Sequence, residues 1–267
     1  MNRYFNIAGP CHPEDHYMLP SESRCSEVTG LIRQKQYFVI HAARQSGKTT
    51  LLLDLVKKIT ETGDYCALYC SLESVQLMDD PAEGIPAIIG NIRAAVKHSK
   101  SFQQIVDKGE PESYHLALKE YLTALRQNLG KPLVILFDEI DCLTNGTLIS
   151  FLRQLRDGYV NRYTIPFVHS VGLIGMRNIR DYKGKIRGDR DTLGSASPFN
   201  IVTEALTLRD FTREEVGQLI SQHTQDTGQV FSPEVLDRIF DDTQGQPWLV
   251  NAIAREIVVK ILKNDFS

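Results

Sequence analysis

The stretch Tyr37-Phe38-Val39-Ile40-His41, running into Ala42-Ala43-Arg44-Gln45-Ser46-Gly47-Lys48-Thr49, decides the fold of this 267-residue chain. Its first five residues form an apolar run of strand length. The residues after Gly47 place Leu52, Leu55, Val56 and Ile59 on one helical face, over about residues 48–60. A strand, a loop and a helix in that order, with Gly-Lys-Thr at the junction, match the spacing G-x-x-x-x-G-K-[ST]. Only the first position departs, where Ala42 replaces glycine. Successive backbone N–H groups in such a loop wrap phosphate oxygens, and the helix that follows adds its positive N-terminal end. Lys48 is expected to reach β- and γ-phosphates, and the Thr49 hydroxyl to ligate Mg2+. Gly47 lets the backbone approach without a Cβ. Alanine at position 42 is acceptable if its backbone does not need a positive φ.

Outward from this loop, Leu133-Val134-Ile135-Leu136-Phe137 is a continuous apolar run, suited to a strand buried on both faces. It ends in Asp138-Glu139-Ile140-Asp141. An acidic pair after such a strand supplies an aspartate for a magnesium shell, here Asp138. Glu139, one residue on, is the candidate to orient and deprotonate an attacking water. Asp141 either caps the next turn or serves a neighbouring subunit. Further strands are expected at 65–70 and 168–174, with a short one near Ile201 or Leu206. Helices are expected at about 82–98, 112–129 and 148–160. Alternation of this kind implies a parallel sheet flanked by helices, with ligands at one sheet edge.

After about Thr207 the pattern becomes helical. Thr212-Arg213-Glu214-Glu215 reads as a capping box, and Ser232-Pro233 as a helix start. Gly245-Gln246-Pro247 opens a last helix, with Leu249, Val250, Ile253, Ile257 and Ile261 expected on its apolar side. The expected organisation is a nucleotide-binding domain over 1–206, including a lead-in over 1–36, and a small all-helical lid over 207–267.

Composition is that of an ordinary globular chain, with 42% hydrophobic and 24% charged residues and a formal net charge of −3. That balance does not suggest a broad nucleic-acid surface. The absence of a long apolar run argues against a membrane span, and a cytoplasmic location is expected. The five cysteines are scattered and expected to be reduced thiols. Cys11, His12, His16 and Cys25 lie close in sequence but lack the spacing of a structural zinc knuckle.

These motifs resemble the AAA-like branch of P-loop ATPases. Arg44-Gln45-Ser46-Gly47-Lys48-Thr49-Thr50 is similar to the "RQxGKT[ST]" loop of bacterial AAA-like ATP-binding proteins and of the related STAND ATPases. The resemblance covers nearly the whole chain. It implies a P-loop NTPase fold of the ASCE type, ATP and Mg2+ as ligands, and phosphate contacts from residues 44 to 50. The segments FNIAGP (5–10) and HYMLP (16–20) look like the lead-in that contacts adenine in this group, which makes Tyr17, Met18 and Leu19 candidates for that pocket. Gly245-Gln246-Pro247 resembles the "GxP" element of the lid, placing Pro247 near the base. The end of the fourth strand carries Arg177, or alternatively Asn178, as a sensor of the γ-phosphate. Trans arginines could come from Arg187, Arg190, Arg153 or Arg156.

The resemblance implies a nucleotide-controlled switch with ATP hydrolysis, working with a protein partner or as a homo-oligomer. Two alternatives stay open. One is a DNA-associated ATPase of the replication, transposition or defence type, supported by Lys183, Lys185, Arg187 and Arg190. The other is a module that holds ATP without hydrolysing it. A small-molecule kinase fits less well, because the sequence names no acceptor pocket.

Overall fold

The computed structural model describes residues 3–20, 23–102, 113–176 and 202–263. Among them, five strands form one parallel sheet in the order β2-β3-β4-β1-β5. The strands are β1 (Phe38–His41), β2 (Cys66–Ser71), β3 (Leu133–Asp138), β4 (Ser170–Gly175) and β5 (Glu204–Thr207). The fold is a P-loop NTPase sheet flanked by helices.

The central strands explain their own sequences. Every residue of β3 and β4 is buried, because neighbours pair on both edges and helices cover the sheet. The strand β5 lies at an edge and is mostly exposed. Helices α3 (Pro81–His98), α4 (Tyr114–Gln127) and α5 (Asn145–Asn161) pack on one another. They share a core with Val39, Leu68, Ile135 and Leu173 from the sheet. Gly172 sits where a Cβ would approach Leu136 at 2.7 Å and Phe38 at 2.9 Å, so β4 can pass between its neighbours only without a side chain there.

Helix α1 (Glu27–Arg33) precedes β1, and α2 (Lys48–Glu61) follows the phosphate loop. The α1 helix was not expected from the sequence, since its seven residues are too few to display a periodic face. The chain ends in α6 (Arg213–Thr227), α7 (Pro233–Thr243) and α8 (Pro247–Arg255). Helix α6 carries the expected capping box: Thr212 accepts from the Glu215 amide and Glu215 accepts from the Thr212 amide. Gly245 has φ +76°, and a Cβ there would lie 1.9 Å from the Phe211 carbonyl oxygen, so only glycine fits between α7 and α8. Gln246 then caps α8 by accepting from the Leu249 amide at 2.7 Å.

The apolar side of α8 matches expectation at Val250, Ile253 and Ile257, which are buried in or packed against a core, and departs from it at Leu249 and Ile261. Leu249 is 38% exposed and Ile261 67% exposed, while Pro247, Val250, Asn251, Ala254 and Val258 are buried. The buried positions 247, 250, 251, 254 and 258 keep a regular helical spacing, and Leu249 and Ile261 fall off that stripe. Residues 256–261 form a π turn.

Two compact units divide the chain. One comprises residues 1–26, 42–54 and 208–267; the other comprises 27–41 and 55–207. The first has its own core, in which Phe5 and Tyr17 pack among Phe211, Val216, Leu219, Ile220 and Val250. Its hydrogen bonds also join distant segments. Arg209 forks onto Glu215 at 2.6 and 2.9 Å and donates to the Ser23 carbonyl at 2.7 Å.

This fork has a pH signature. Arg209, and then the Thr212 amide, hold the Glu215 carboxyl down at about 2 against a usual 4.5, although burial opposes them. The folded value is the lower one, so the unfolded chain takes up its proton first as pH falls. The contribution is complete above about 4.5 and fades as pH drops toward 2. Urea unfolding followed at Trp248 is expected to show a lower midpoint at pH 3 than at pH 7. Glu215→Gln should lower stability at pH 7 by about 1–3 kcal/mol and flatten that acid dependence. A wild-type midpoint in the variant would refute the assignment.

Candidate functional site

The loop that follows β1 owes its shape to two residues with positive φ. Gln45 has φ +60° and Gly47 φ +78°, while Ala42 is not in that region. Alanine therefore needs no strained backbone at the position where the pattern usually has glycine. Ser46 is buried, and its hydroxyl donates to the Ala43 carbonyl at 2.8 Å, closing the turn. Arg44 and Gln45 are exposed. Lys48 begins α2 and is 9% exposed; Thr49 follows it, half-buried. Thr50 turns toward the lead-in, where its Oγ1 accepts from the Cys11 amide at 2.9 Å.

The same compact unit holds a cavity lined by Tyr17, Met18, Leu19 and Pro247, together with Gly47, Thr50 and Asp54. Four residues expected to gather around a base are thus brought to one place, beside the first turns of α2. They come by different routes. Tyr17 is wholly buried; its hydroxyl meets Nδ1 of His223 at 3.2 Å and its ring lies 4.8 Å from Phe5. Burial pushes its phenol up to about 12. The Met18 carbonyl accepts from Gln222 Nε2 at 2.9 Å, which anchors the lead-in to α6. Pro247 is the buried first residue of α8. Trp248 beside it donates from Nε1 to the Ile7 carbonyl at 2.8 Å.

Arg24 and Asn251 are among the lining residues that the sequence alone does not single out. Arg24 donates from Nε to the Arg209 carbonyl at 2.9 Å, and its guanidinium lies 5.0 Å from the centre of the Phe211 ring. Its Nη1 is 3.6 Å from where a Gly47 Cβ would be. Burial pulls its pKa down to about 10, which leaves it charged at neutral pH. Asn251 is 7% exposed; its amide donates to the Pro247 carbonyl at 2.8 Å, and its Oδ1 is buried with no hydrogen-bond partner. A buried acceptor left unpaired is costly unless a ligand donates to it. No local pattern marks either residue. Arg24 sits in PSESRC, and Asn251 interrupts an apolar stripe like any polar core residue.

In the other unit, parallel pairing places the C-terminal ends of all strands at one edge of the sheet. That edge includes Asp138 at the end of β3 and His41, the residue before the phosphate loop. Asp138 is 1% exposed. Its Oδ1 accepts from the Glu139 amide at 2.9 Å and its Oδ2 from the Tyr69 hydroxyl at 3.1 Å. Glu139 is half-buried and left-handed, with φ +57° and ψ +42°, where the chain turns sharply out of the strand. Left-handed backbone at a non-glycine residue costs about 1–2 kcal/mol and is held here by the surrounding turn. Asp141 accepts from the Met176 amide at 2.5 Å, tying the end of β4 to this turn. Gly175 makes room, since a Cβ there would meet Asp141 Oδ2 at 2.5 Å.

Arg177 and Asn178 lie outside the described residues, as do Lys183, Lys185, Arg187 and Arg190. Arg153 is exposed on α5, and Arg156 is half-buried on it. Among the described residues no three His, Cys, Asp or Glu side chains are grouped to hold a metal, so Cys11, His12, His16 and Cys25 form no such cluster. A hydroxyl and a carboxylate, Thr49 and Asp138, are hard oxygen donors of the kind Mg2+ takes when phosphate and water complete its shell. No described helix is long and apolar enough to cross a membrane.

A family model described as an AAA-like domain matches residues 16–264. No curated protein matches the chain. Among solved structures, the Walker-type ATPase of Pyrococcus abyssi is similar with a TM-score of 0.70 at 14% identity, covering 98% of this chain and 72% of that one. Cdc6p from Pyrobaculum aerophilum gives 0.57 at 14% identity, over 97% of this chain and 65% of its own. Domain III of the replication initiation protein DnaA from Thermotoga maritima gives 0.54 at 14% identity, over 97% and 94%. At these identities the likeness speaks for the fold.

Proposed function

The chain belongs to the AAA-like domain family, and on that premise we propose that it binds ATP with Mg2+, hydrolyses it, and uses the nucleotide state as a conformational switch. The observation that carries this reading is the cavity of the first unit, with the unpaired Asn251 acceptor on its wall. An adenine amino group is a donor of the kind Asn251 Oδ1 lacks. Tyr17, Met18, Leu19 and Pro247 supply the apolar surface for the base, and Arg24 adds a cation beside Gly47.

The chemistry follows from the residue types. The loop amides of residues 44–50 and the start of α2 bind the phosphates. Lys48 neutralises charge on the β- and γ-phosphates. Thr49 and Asp138 would hold the metal ion. When bound, Mg2+ offsets negative charge on the phosphate oxygens. Glu139 accepts the proton of the attacking water, and Arg177 or Asn178 senses the γ-phosphate.

The switch follows from where the cavity walls come from. They belong to the lead-in, the phosphate loop and α6–α8, so a bound nucleotide touches three segments far apart in sequence. A γ-phosphate that favours one packing of these segments shifts their equilibrium, and its loss relaxes it. Turnover of ATP is expected to need Mg2+ and to stop with a chelator. Emission of Trp248, the one tryptophan, should differ between a non-hydrolysable ATP analogue and ADP. Absence of both turnover and an emission difference would sink the proposal.

A further inference from the structure

A second cavity, of about 350 Å³, lies wholly within the unit that carries the sheet. Its size is that of a small-ligand site. Lys35, Arg126, Arg162 and His169 line it, with Tyr163 and Phe167. None of its lining residues is acidic. The chain carries a net charge of −3, so a concentration of cations here does not follow from composition.

The cavity sits at the edge of the sheet away from Asp138 and Glu139. Lys35 comes just before β1, and His169 just before β4. A parallel strand as long as β3 spans roughly 20 Å, so the two edges are separate places.

The cations here make few hydrogen bonds, although the Arg162 guanidinium also lies 3.8 Å from the centre of the Tyr159 ring. Among the described residues each guanidinium makes one protein hydrogen bond: Arg126 to the Leu129 carbonyl at 3.0 Å, and Arg162 to the Lys35 carbonyl at 2.6 Å. The Nε of Arg162 is buried with no hydrogen-bond partner. None of Lys35, Arg126 and Arg162 pairs with a carboxylate among those residues. His169 bonds the Ile32 carbonyl through Nε2 at 2.9 Å. Burial first, and then the charges of Lys35, Arg162 and Arg126, push its imidazole pKa down.

Helix ends explain how the cluster persists without a ligand. Lys35, Arg126 and Arg162 lie at or just beyond the C-terminal ends of α1, α4 and α5. Each such end carries roughly half a negative charge, so three ends offset about half of three full positive charges. A net positive field remains. Guanidinium forks matched to that field select phosphate oxygens, which they can hold bidentately. The ring of Tyr163 is 80% exposed, with Lys35 at 5.7 Å and Arg162 at 5.4 Å from its centre.

We propose that this cavity is a second anion site, one that takes a phosphate group between Arg126, Arg162 and Lys35. The phosphate could belong to a free diphosphate or to the backbone of a nucleic-acid strand, and the test separates these sources. The full chain, with its phosphate loop saturated by Mg2+ and a non-hydrolysable ATP analogue, is titrated with pyrophosphate and, separately, with a labelled 12-nucleotide single strand. At least one probe should bind at one further site. Arg162→Gln should weaken that binding roughly tenfold or more, by removing charge-assisted bonds. Lys35→Asn is the gentler variant, because Lys35 has φ +58° and asparagine adopts that backbone readily. It should weaken binding about threefold with an unchanged thermal midpoint. Loss with pyrophosphate assigns a free phosphate compound, and loss with the strand alone assigns the backbone. No further site for either probe, or wild-type affinity in a folded Lys35→Asn, overturns the proposal.

Discussion

Glu139→Gln will bind ATP about as tightly as the wild type and turn it over on the order of 10²–10⁴-fold more slowly, the usual contribution of a positioned general base. The exchange removes a proton acceptor and keeps the shape of the side chain. Glutamine has the same length and the same backbone demands as glutamate. The left-handed turn at φ +57° should survive, because Asp138 accepts from the backbone amide of residue 139 and not from its side chain. The 3₁₀ turn over Ile140–Cys142 is likewise closed by the carbonyl of residue 139, which accepts from the Cys142 amide at 2.9 Å. A binding isotherm beside a steady-state ATPase assay checks both halves. Turnover within threefold of wild type would remove Glu139 from the mechanism. Weakened binding with unchanged turnover would mean the residue only supports the strand end.

Lys48→Ala will lose roughly 30- to 100-fold in ATP affinity, the value of one or two charge-assisted hydrogen bonds to phosphate. Lys48 is the first residue of α2 and is 9% exposed. A buried cation at a helix N-terminus sits against an unfavourable dipole. Alanine is the best helix former, so α2 should keep its structure and the thermal midpoint should not fall. Fluorescent ATP titration is the measurement. Wild-type affinity in a folded variant would show that the loop does not bind the phosphates in this way.

Much of the architecture was legible in the chain itself, for a physical reason common to each legible part. Local features carry their causes within a few residues. Leu133–Phe137 must be buried on both faces because nothing polar interrupts it, and β3 is buried throughout. Thr212 and Glu215 are three residues apart, the spacing at which side chain and amide exchange bonds, and the capping box is formed. Pro233 and Pro247 start helices because a first-turn residue needs no N–H donor. Gly47 and Gly245 stand at positive φ, where other residues pay a steric cost.

Other features depend on residues that meet only after folding. The stripe of α8 follows from what packs against it, so Leu249 and Ile261 face outward despite their hydrophobicity. Arg24 and Arg209 are 185 residues apart, and no local spacing predicts their bond. Asn251 looks like a polar residue on a helix until its Oδ1 is found buried and unpaired. Lys35, Arg126, Arg162 and His169 are scattered in the sequence and line one cavity only because three helix ends and two strand starts converge.

The amino-acid sequence thus determined the strand–loop–helix that begins at Tyr37, the acidic strand end at Asp138 and Glu139, and the change to helices after Thr207, since hydrophobic period and backbone chemistry act over short range. Tertiary structure alone decided the strand order β2-β3-β4-β1-β5, the joining of the lead-in to residues 42–54 and α6–α8, and which side chains line each cavity. Those outcomes come from long-range packing, in which burial, charge and unpaired polar groups are settled between segments that do not adjoin in the chain.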